Sequence, residues 1–304
     1  NQNDFIEAVF EIEKREITSI KYKEFDWRVF LTASTLLFSS FIGFDAIAQT
    51  GNEAKNPTKT IPRAILLAIF IVSIYYILFT ISVYNIVPWN FVADESLVKD
   101  ITAPGLLSYV LPSFWGILII LGATIALIND LPAMILSVSR LMFAWSKDKI
   151  FPEKVSSIHE KYNTPHISIF IVGVVASIGS VGSHFAGDFF LGIDIMVTSM
   201  MINFLLMCIT VITIIRVNPK LYQEITIFKN RSLQKIIGYL GSVVIVIFLV
   251  IHTYKDLTSE VDAWYFHSTF IYLIVMTLAS LYFLIRWIKI KKNNKHIFKS
   301  LPSE

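Results

Sequence analysis

The chain has 304 residues, of which 55% are hydrophobic and 16% are charged, and its formal net charge is +3. A soluble domain carries charge at about a quarter of its positions, so this composition excludes an ordinary water-soluble protein. Its single cysteine, Cys208, excludes a disulfide framework and a cysteine metal site. The six histidines are scattered and form no ligand pattern, and we expect neither a metal nor a nucleic-acid partner.

The first 28 residues have mixed charge. They contain seven acidic and five basic side chains and lack the apolar core of a secretory signal peptide. We expect residues 1–28 to form an extracellular segment, followed by one transmembrane domain over residues 29–304. The chain begins with Asn1 rather than methionine, which favours the hypothesis that it is part of a longer protein.

Long apolar blocks fill most of the remaining sequence. About 20 apolar residues are needed to cross about 30 Å of hydrocarbon. Because hydrocarbon offers no hydrogen-bond partners to the backbone, blocks of this length predict helices. The fold class is therefore all-α, an integral membrane helical bundle. The sequence predicts seven spans, at about 29–53, 64–87, 113–145, 167–186, 189–215, 236–252 and 266–288.

Lysine and arginine alternate between the connections. In chain order, the six connections and the C-terminal tail hold 3, 1, 5, 0, 5, 1 and 6 basic residues. Basic residues favour the cytoplasmic side, so the pattern predicts a cytoplasmic C-terminus and, with seven spans, an external N-terminus. The five basic residues of the segment 1–28 do not fit an external N-terminus, but this segment also contains seven acidic residues and is outweighed by the other connections. The location expected is the cytoplasmic membrane.

The first span contains two residues that are unusual in a membrane helix, Gly43 and Asp45. Glycine permits a break, and aspartate favours a helix N-cap over a helix interior. The pair predicts that the helix stops near Phe41, unwinds and restarts at about Ala46, with Asp45 as its cap. Broken helices are tolerated where they line an enclosed cavity, and they mark binding sites in transporters. The alternative is a continuous helix with a packed, paired aspartate.

The third and fifth spans also contain polar residues. Asn129 and Asp130 lie just past the middle of the third span, at a depth within about one helical turn of Gly43 and Asp45. Because an ionisable group in hydrocarbon is costly, we expect the pair to face the bundle interior, either lining a site or packing beside Pro132. Asn203 is central in the fifth span and is either a site residue or a packing residue.

The string from Phe41 to Ala64, FIGFDAIAQTGNEAKNPTKTIPRA, resembles the sixth helix and following loop of the amino acid–polyamine–organocation superfamily. Asn52 departs from the family's pair of acids at this point. A second string looks like the family's connection between helices eight and nine, and it holds Ser139-Arg140, Asp148-Lys149-Ile150-Phe151-Pro152 and Thr164-Pro165-His166. Here Lys149 replaces the family's glycine.

The resemblance implies that the seven spans match family helices six to twelve, the second inverted repeat and two trailing helices. It implies a substrate site in which Phe41, Ile42 and Gly43 offer backbone carbonyls to an ammonium group. Phe44 would form an aromatic wall and Asp45 a cap or gate. The first repeat, which holds the substrate carboxylate, would be absent and would come from the same or a partner chain.

The function predicted is secondary transport of amino acids or related amines, with the lipid bilayer and this substrate as partners. No cofactor is expected, and the sequence does not distinguish H⁺ from Na⁺ as a coupling ion. Absence of a Walker motif argues against ATP hydrolysis, and no metal-ligand motif or nucleophile elbow points to an enzyme. The alternative is a seven-span receptor or another non-transporting membrane protein, although receptor signatures are missing.

Overall fold

A computed structural model describes residues 2–14, 25–49, 54–96, 101–185, 191–223, 225, 227–259 and 266–293. This part of the chain is helical and contains no strand. Its α-helices in chain order are α1 (Gln2–Glu13), α2 (Trp27–Leu37), α3 (Ala46–Gln49), α4 (Pro57–Ile86), α5 (Trp89–Glu95), α6 (Ala103–Leu107), α7 (Ser113–Lys147), α8 (His166–Phe185), α9 (Leu191–Val217), α10 (Pro219–Gln223), α11 (Arg231–Thr258) and α12 (Ser268–Asn293).

Seven segments of the described residues are long and apolar enough to cross a membrane, which confirms the predicted helical bundle. The first combines α2, a short 3₁₀ turn and α3 over Val29–Gln49, and the other six are formed by α4, α7, α8, α9, α11 and α12. Several helices extend beyond the predicted spans, most clearly α4 and α11. The reason is that apolar composition marks only the hydrocarbon layer, whereas a helix continues into the polar interface. The predicted end of the first span, 50–53, lies outside the described residues.

The chain divides into two compact units, and one transmembrane domain over residues 29–304 stays a prediction. The first unit contains residues 1–25 and 66–134. Its α1 helix was not predicted from the sequence. Phe5 and Val9 of α1 are fully buried against Val87, Phe91 and Leu106, and the Phe5 and Phe91 rings meet edge to face at 5.0 Å. The N-terminal helix therefore packs on the connection between the second and third spans.

The second unit contains residues 26–65 and 135–304 and is organised around α9, which packs against α2, α11 and α12. Val197 and Met201 of α9 are buried. At the crossing of α9 and α11, a Cβ atom on Gly238 would lie 2.8 Å from Ile212 Cγ1 and 3.2 Å from the Cys208 carbonyl oxygen. Glycine is required at this point because it lets the two helices approach closely, as is common between membrane helices.

The end of α11 holds the start of α12. The buried carboxylate of Asp256 accepts hydrogen bonds from the backbone N–H groups of Ser268 and Thr269, both at 2.9 Å. These amides belong to the first turn of α12, where no helical partner exists. One turn earlier on α11, Nε2 of the buried His252 lies 3.3 Å from the Asp194 carbonyl oxygen of α9. Side chains near the C-terminal end of α11 thus bond to the first turns of both α9 and α12.

Candidate functional site

The first span is interrupted in its middle, as its sequence predicts. The α2 helix ends at Leu37, a 3₁₀ turn follows over Phe38–Phe41, and α3 begins at Ala46. Between them, Ile42 is extended with φ −72° and ψ 143°, and Gly43 has φ +119°. The α-helix stops four residues before the predicted Phe41, because its last turn tightens into 3₁₀ geometry before the chain unwinds.

Hydrogen bonds across the interruption come from short turns. The Ile42 N–H donates to the Ser39 carbonyl at 3.1 Å, and the Ala46 N–H donates to the Gly43 carbonyl at 3.1 Å. Asp45 contributes twice, since its carboxylate accepts from the Gly43 N–H at 3.3 Å and its carbonyl accepts from the Ala48 N–H at 3.0 Å. Asp45 therefore closes the turn with its side chain and starts α3 with its backbone. The prediction of a side-chain cap for α3 is wrong in this respect, because the carboxylate bonds to the Gly43 amide before the helix.

An aromatic cluster holds the interruption against α9. The Phe44 ring stacks on Phe204 with centroids 5.5 Å apart and planes 14° apart, and Phe38 meets the same ring edge to face at 5.8 Å. Phe204 thus contacts aromatic residues on both sides of the unwound segment. Such pairs contribute about 0.5–1.5 kcal/mol beyond the apolar area that they bury. The interruption is fixed to the neighbouring helix at two points.

A cavity of about 410 Å³ lies beside the end of α3 in the second unit. Gln49, the last residue of α3, lines it, and the Gln49 amide oxygen accepts a hydrogen bond from the Ser137 hydroxyl of α7. The cavity's other walls are the end of α7 and the connection that follows. Its lining residues are Gln49, Leu136, Arg140, Leu141, Phe143, Ala144, Ile158, Asn163, Thr164 and Pro165.

The predicted site residues fall into three groups. Phe41, Ile42, Gly43, Phe44 and Asp45 form the half-buried interruption in the second unit. Asn129 and Asp130 are exposed on α7 within the first unit, so their place in a site stays a prediction. Asn203 is exposed on α9, directly before Phe204, and its role also stays a prediction.

Three contributors to this region were missed from the sequence: Phe38, Gln49 and Phe204. Phe38 and Gln49 belong to the predicted first span, where nothing except their nearness to Gly43 distinguishes them. Phe204 is one of 24 phenylalanines and lies 160 residues after Phe44. A contact between such distant positions leaves no periodic pattern in one sequence.

Lys149 lies in the turn that ends α7, at the position where the resembled family pattern has glycine. The Lys149 N–H donates to the Ser146 carbonyl at 3.0 Å, and the Ile150 N–H donates to the Trp145 carbonyl at 2.9 Å. This pair of bonds is a Schellman motif, whose left-handed position favours glycine. Lys149 occupies that position with φ +63°. The turn therefore keeps its geometry although a side chain is present.

Comparisons with known proteins agree with these features. The family model for amino acid permeases matches residues 16–299. The branched-chain amino acid permease BcaP of Bacillus subtilis is 26% identical over 171 residues, which are 53% of this chain and 36% of that protein. The low-affinity putrescine importer PlaP of Escherichia coli K12 is 32% identical over 149 residues, which are 48% of this chain and 32% of that protein.

A mouse protein, cationic amino acid transporter 4, is 26% identical over 157 residues, 52% of this chain and 24% of that protein. The match therefore spans about a third or less of each of these three relatives. No solved structure gives a significant match. The family model, however, covers nearly all of the 304 residues. The chain is a multi-pass membrane protein that belongs to the amino acid permease family.

Proposed function

We propose that the chain takes part in secondary transport of amino acids or related amines across the cytoplasmic membrane, and that its substrate binds at the interruption of the first span. The observation that carries the proposal is the unwound segment from Ile42 to Asp45 in the middle of a membrane-spanning helix. Unwound backbone at this depth is costly unless it is enclosed by protein or lines a cavity. Binding sites in transporters are built from such discontinuous helices.

The chemistry of the interruption suits an ammonium group. Backbone carbonyls of Phe41, Ile42 and Gly43 are acceptors without formal charge, and an ammonium carries three N–H donors. Phe44 supplies an apolar wall beside them, held in place by its stack on Phe204. Asp45 keeps the segment unwound through its bond to the Gly43 amide. The names of BcaP, PlaP and cationic amino acid transporter 4 all refer to molecules that carry an amino group.

Further helices complete the site in this proposal. Asn129 and Asp130 have exposed side chains in a helix that is long and apolar enough to span the membrane. A charged side chain at the centre of a bilayer costs about 2.5–3.5 kcal/mol on insertion scales, so Asp130 needs a protein or aqueous environment. We propose that helices of the same or a partner chain cover this face and supply donors for the substrate carboxylate. Asn129, Asp130 and Asn203 would then line the complete site.

The orientation proposed places the N-terminus outside and the C-terminus in the cytoplasm, with basic residues at the inner lipid surface. The α1 helix supports it for the first residues of the chain. It packs on the segment after the second span, and residues 88–112 of that connection hold a single basic residue, Lys99. A location on the less basic side of the membrane therefore fits both segments. Neither enzymatic activity nor a resident cofactor is part of this proposal, and the coupling ion would be H⁺ or Na⁺.

Uptake into membrane vesicles tests the proposal. Vesicles would contain the 304-residue chain alone or together with the proposed covering helices, co-expressed as a second chain. Radiolabelled leucine, arginine and putrescine would be the substrates. We expect saturable uptake of at least one substrate by the combined chains and none by this chain alone, because half of the ligand groups are supplied elsewhere. Robust uptake by the chain alone would refute this division of labour, and no uptake by the combination would refute the transport function.

A further inference from the structure

The last helix is bonded to the turn that ends α7. Arg286 of α12 donates from Nη2 to the Lys149 carbonyl at 2.8 Å and from Nε to the Ile150 carbonyl at 3.0 Å. The Tyr282 hydroxyl, one helical turn earlier, donates to the same Ile150 carbonyl at 3.2 Å. Tyr282 also stacks on Phe151, with centroids 5.7 Å apart. Two side chains of α12 therefore hold three consecutive residues of the turn.

Electrostatics and strain explain why this contact is specific. The carbonyl end of a helix carries about half a negative charge, so a guanidinium placed there is stabilised. Arg286 presents two N–H groups in a fixed planar fork, which matches two neighbouring carbonyls. External support matters for this turn because Lys149 occupies a left-handed conformation that is unfavourable for a non-glycine residue. The two carbonyls that Arg286 binds belong to Lys149 and the residue after it.

The turn is connected to the cavity beside α3. The Ser146 hydroxyl donates to the Pro152 carbonyl at 2.7 Å, which fixes the start of the following loop to α7. Further along, the buried Ser168 hydroxyl donates to the Val155 carbonyl at 2.7 Å. The same loop then supplies Ile158, Asn163, Thr164 and Pro165 to the cavity wall. The turn that Arg286 contacts is therefore the start of a loop that borders the cavity.

We propose that Arg286 is a positioning residue for transport, which holds the loop 148–165 against the end of α7 and so sets the width of the cavity beside Gln49. Tyr282 assists it. The last helix then belongs to the transport machinery and does more than anchor the chain in lipid. The link to transport rests on the function proposed above, whereas the position of the loop does not. The two parts are tested by separate measurements.

The position of the loop is measured by thiol labelling of the full chain in membranes. Cys208 is replaced by serine, and Val155→Cys introduces a thiol at a buried position of the loop, where the parent side chain is 7% exposed. We expect Arg286→Ala to raise the labelling rate about tenfold. The reason is that loss of a charge-assisted hydrogen bond should raise the population of loop conformations that expose Val155→Cys by about this factor. Arg286→Lys should give an intermediate rate, because an ammonium keeps the charge but not the fork.

Two controls separate this local effect from general destabilisation. Lys289→Ala removes an exposed charge three residues further along α12 and should leave the rate unchanged. A second reporter, Val197→Cys in the buried part of α9, should stay protected in the Arg286→Ala variant. Equal labelling of Val155→Cys in the Arg286→Ala and Lys289→Ala backgrounds would overturn the proposal. Exposure of both reporters in Arg286→Ala would overturn it as well, since the effect would then be global.

A suppressor gives the sharpest test. Lys149→Gly removes the side chain that makes the left-handed turn costly, so it should return the labelling rate of Arg286→Ala toward that of the parent. Failure of this rescue would show that Arg286 does not act through the turn.

In the transporting combination of chains, Arg286→Ala should lower the maximal uptake rate and leave KM unchanged. An unchanged maximal rate, despite faster labelling, would overturn the link to transport and leave the loop contact intact.

Discussion

Phe44, the first residue after the glycine of positive φ in the broken span, stacks on Phe204 of α9 with ring planes 14° apart. The residue before the break that shares this partner is Phe38, whose ring meets Phe204 at 5.8 Å. One side chain of a neighbouring helix therefore bridges the two halves of the interrupted span. Movement of either half relative to α9 requires one of these ring contacts to change.

We expect Phe204→Leu to loosen the interruption, since leucine keeps most of the apolar volume and loses both ring contacts. We expect Phe204→Leu to lower the free energy of unfolding by about 1 kcal/mol more than a matched control does, because only this variant loses the two ring contacts. Phe170→Leu is that control, because Phe170 lies in α8 with 71% of its side chain exposed. Unfolding of the purified chain in mixed detergent micelles would measure both. Equal losses would show that the stack does not stabilise the break.

Gly43 gives the second prediction. A Cβ atom at this position would meet nothing within 4 Å, so Gly43→Ala creates no clash, but its φ of +119° is unfavourable for any L-residue. We expect a loss of about 1–3 kcal/mol in the free energy of unfolding, caused by the backbone alone.

The matched control for Gly43 is Gly122→Ala in the helix α7, where a Cβ atom also meets nothing within 4 Å. This change should be neutral or stabilise by about 0.5–1 kcal/mol, because glycine is unfavourable inside helices. Thermal unfolding of the two variants, followed by tryptophan fluorescence, checks the difference. A Gly43→Ala protein as stable as Gly122→Ala would mean that the interruption is a regular helix.

Much of the membrane fold could be predicted, because apolar length is a local property that one sequence displays directly. The interruption could be predicted for a related reason, since Gly43 and Asp45 stand two residues apart in an otherwise apolar block. The α1 helix could not, because Phe5 and Val9 are only a short apolar stripe in a charged segment. Their burial depends on Phe91 and Leu106, which are far away in the chain.

The tertiary contacts of the site could not be predicted from the sequence either. Nothing local distinguishes Phe204 from other phenylalanines of the spans, or Arg286 from the lysines that follow it. In the sequence Arg286 is one of six basic residues of the tail, whereas the structure places its guanidinium on two carbonyls of another segment. Composition predicts which side of the membrane a charge prefers, and geometry decides which group it binds.

Asp256 gives the third prediction. Its carboxylate accepts from the Ser268 and Thr269 amides at 2.9 Å, and the side chain is buried. Asp256→Ala leaves two buried amides without their acceptor, which should cost about 1–3 kcal/mol in the free energy of unfolding. Asp256→Asn should cost less, because the amide oxygen still accepts one bond. Glu160→Ala removes an exposed acid and should change stability by less than about 0.5 kcal/mol. An Asp256→Ala protein as stable as Glu160→Ala would contradict the assigned role.

The fourth prediction concerns the orientation of the chain in the membrane. With Cys208 replaced by serine, single cysteines at Lys59 and Lys255 place reporters at the start of α4 and near the end of α11. The basic residues of 51–63 favour the cytoplasm, and the single lysine of 253–265 favours the outside. A membrane-impermeant maleimide applied to intact cells should therefore label Lys255→Cys and not Lys59→Cys. Permeabilised cells provide the control, since both positions should react once the reagent reaches each face. Labelling of Lys59→Cys from outside would invert the orientation. The basic loop beside Arg286 and the cavity near Gln49 would then face the exterior, and the proposed cytoplasmic C-terminus would be wrong.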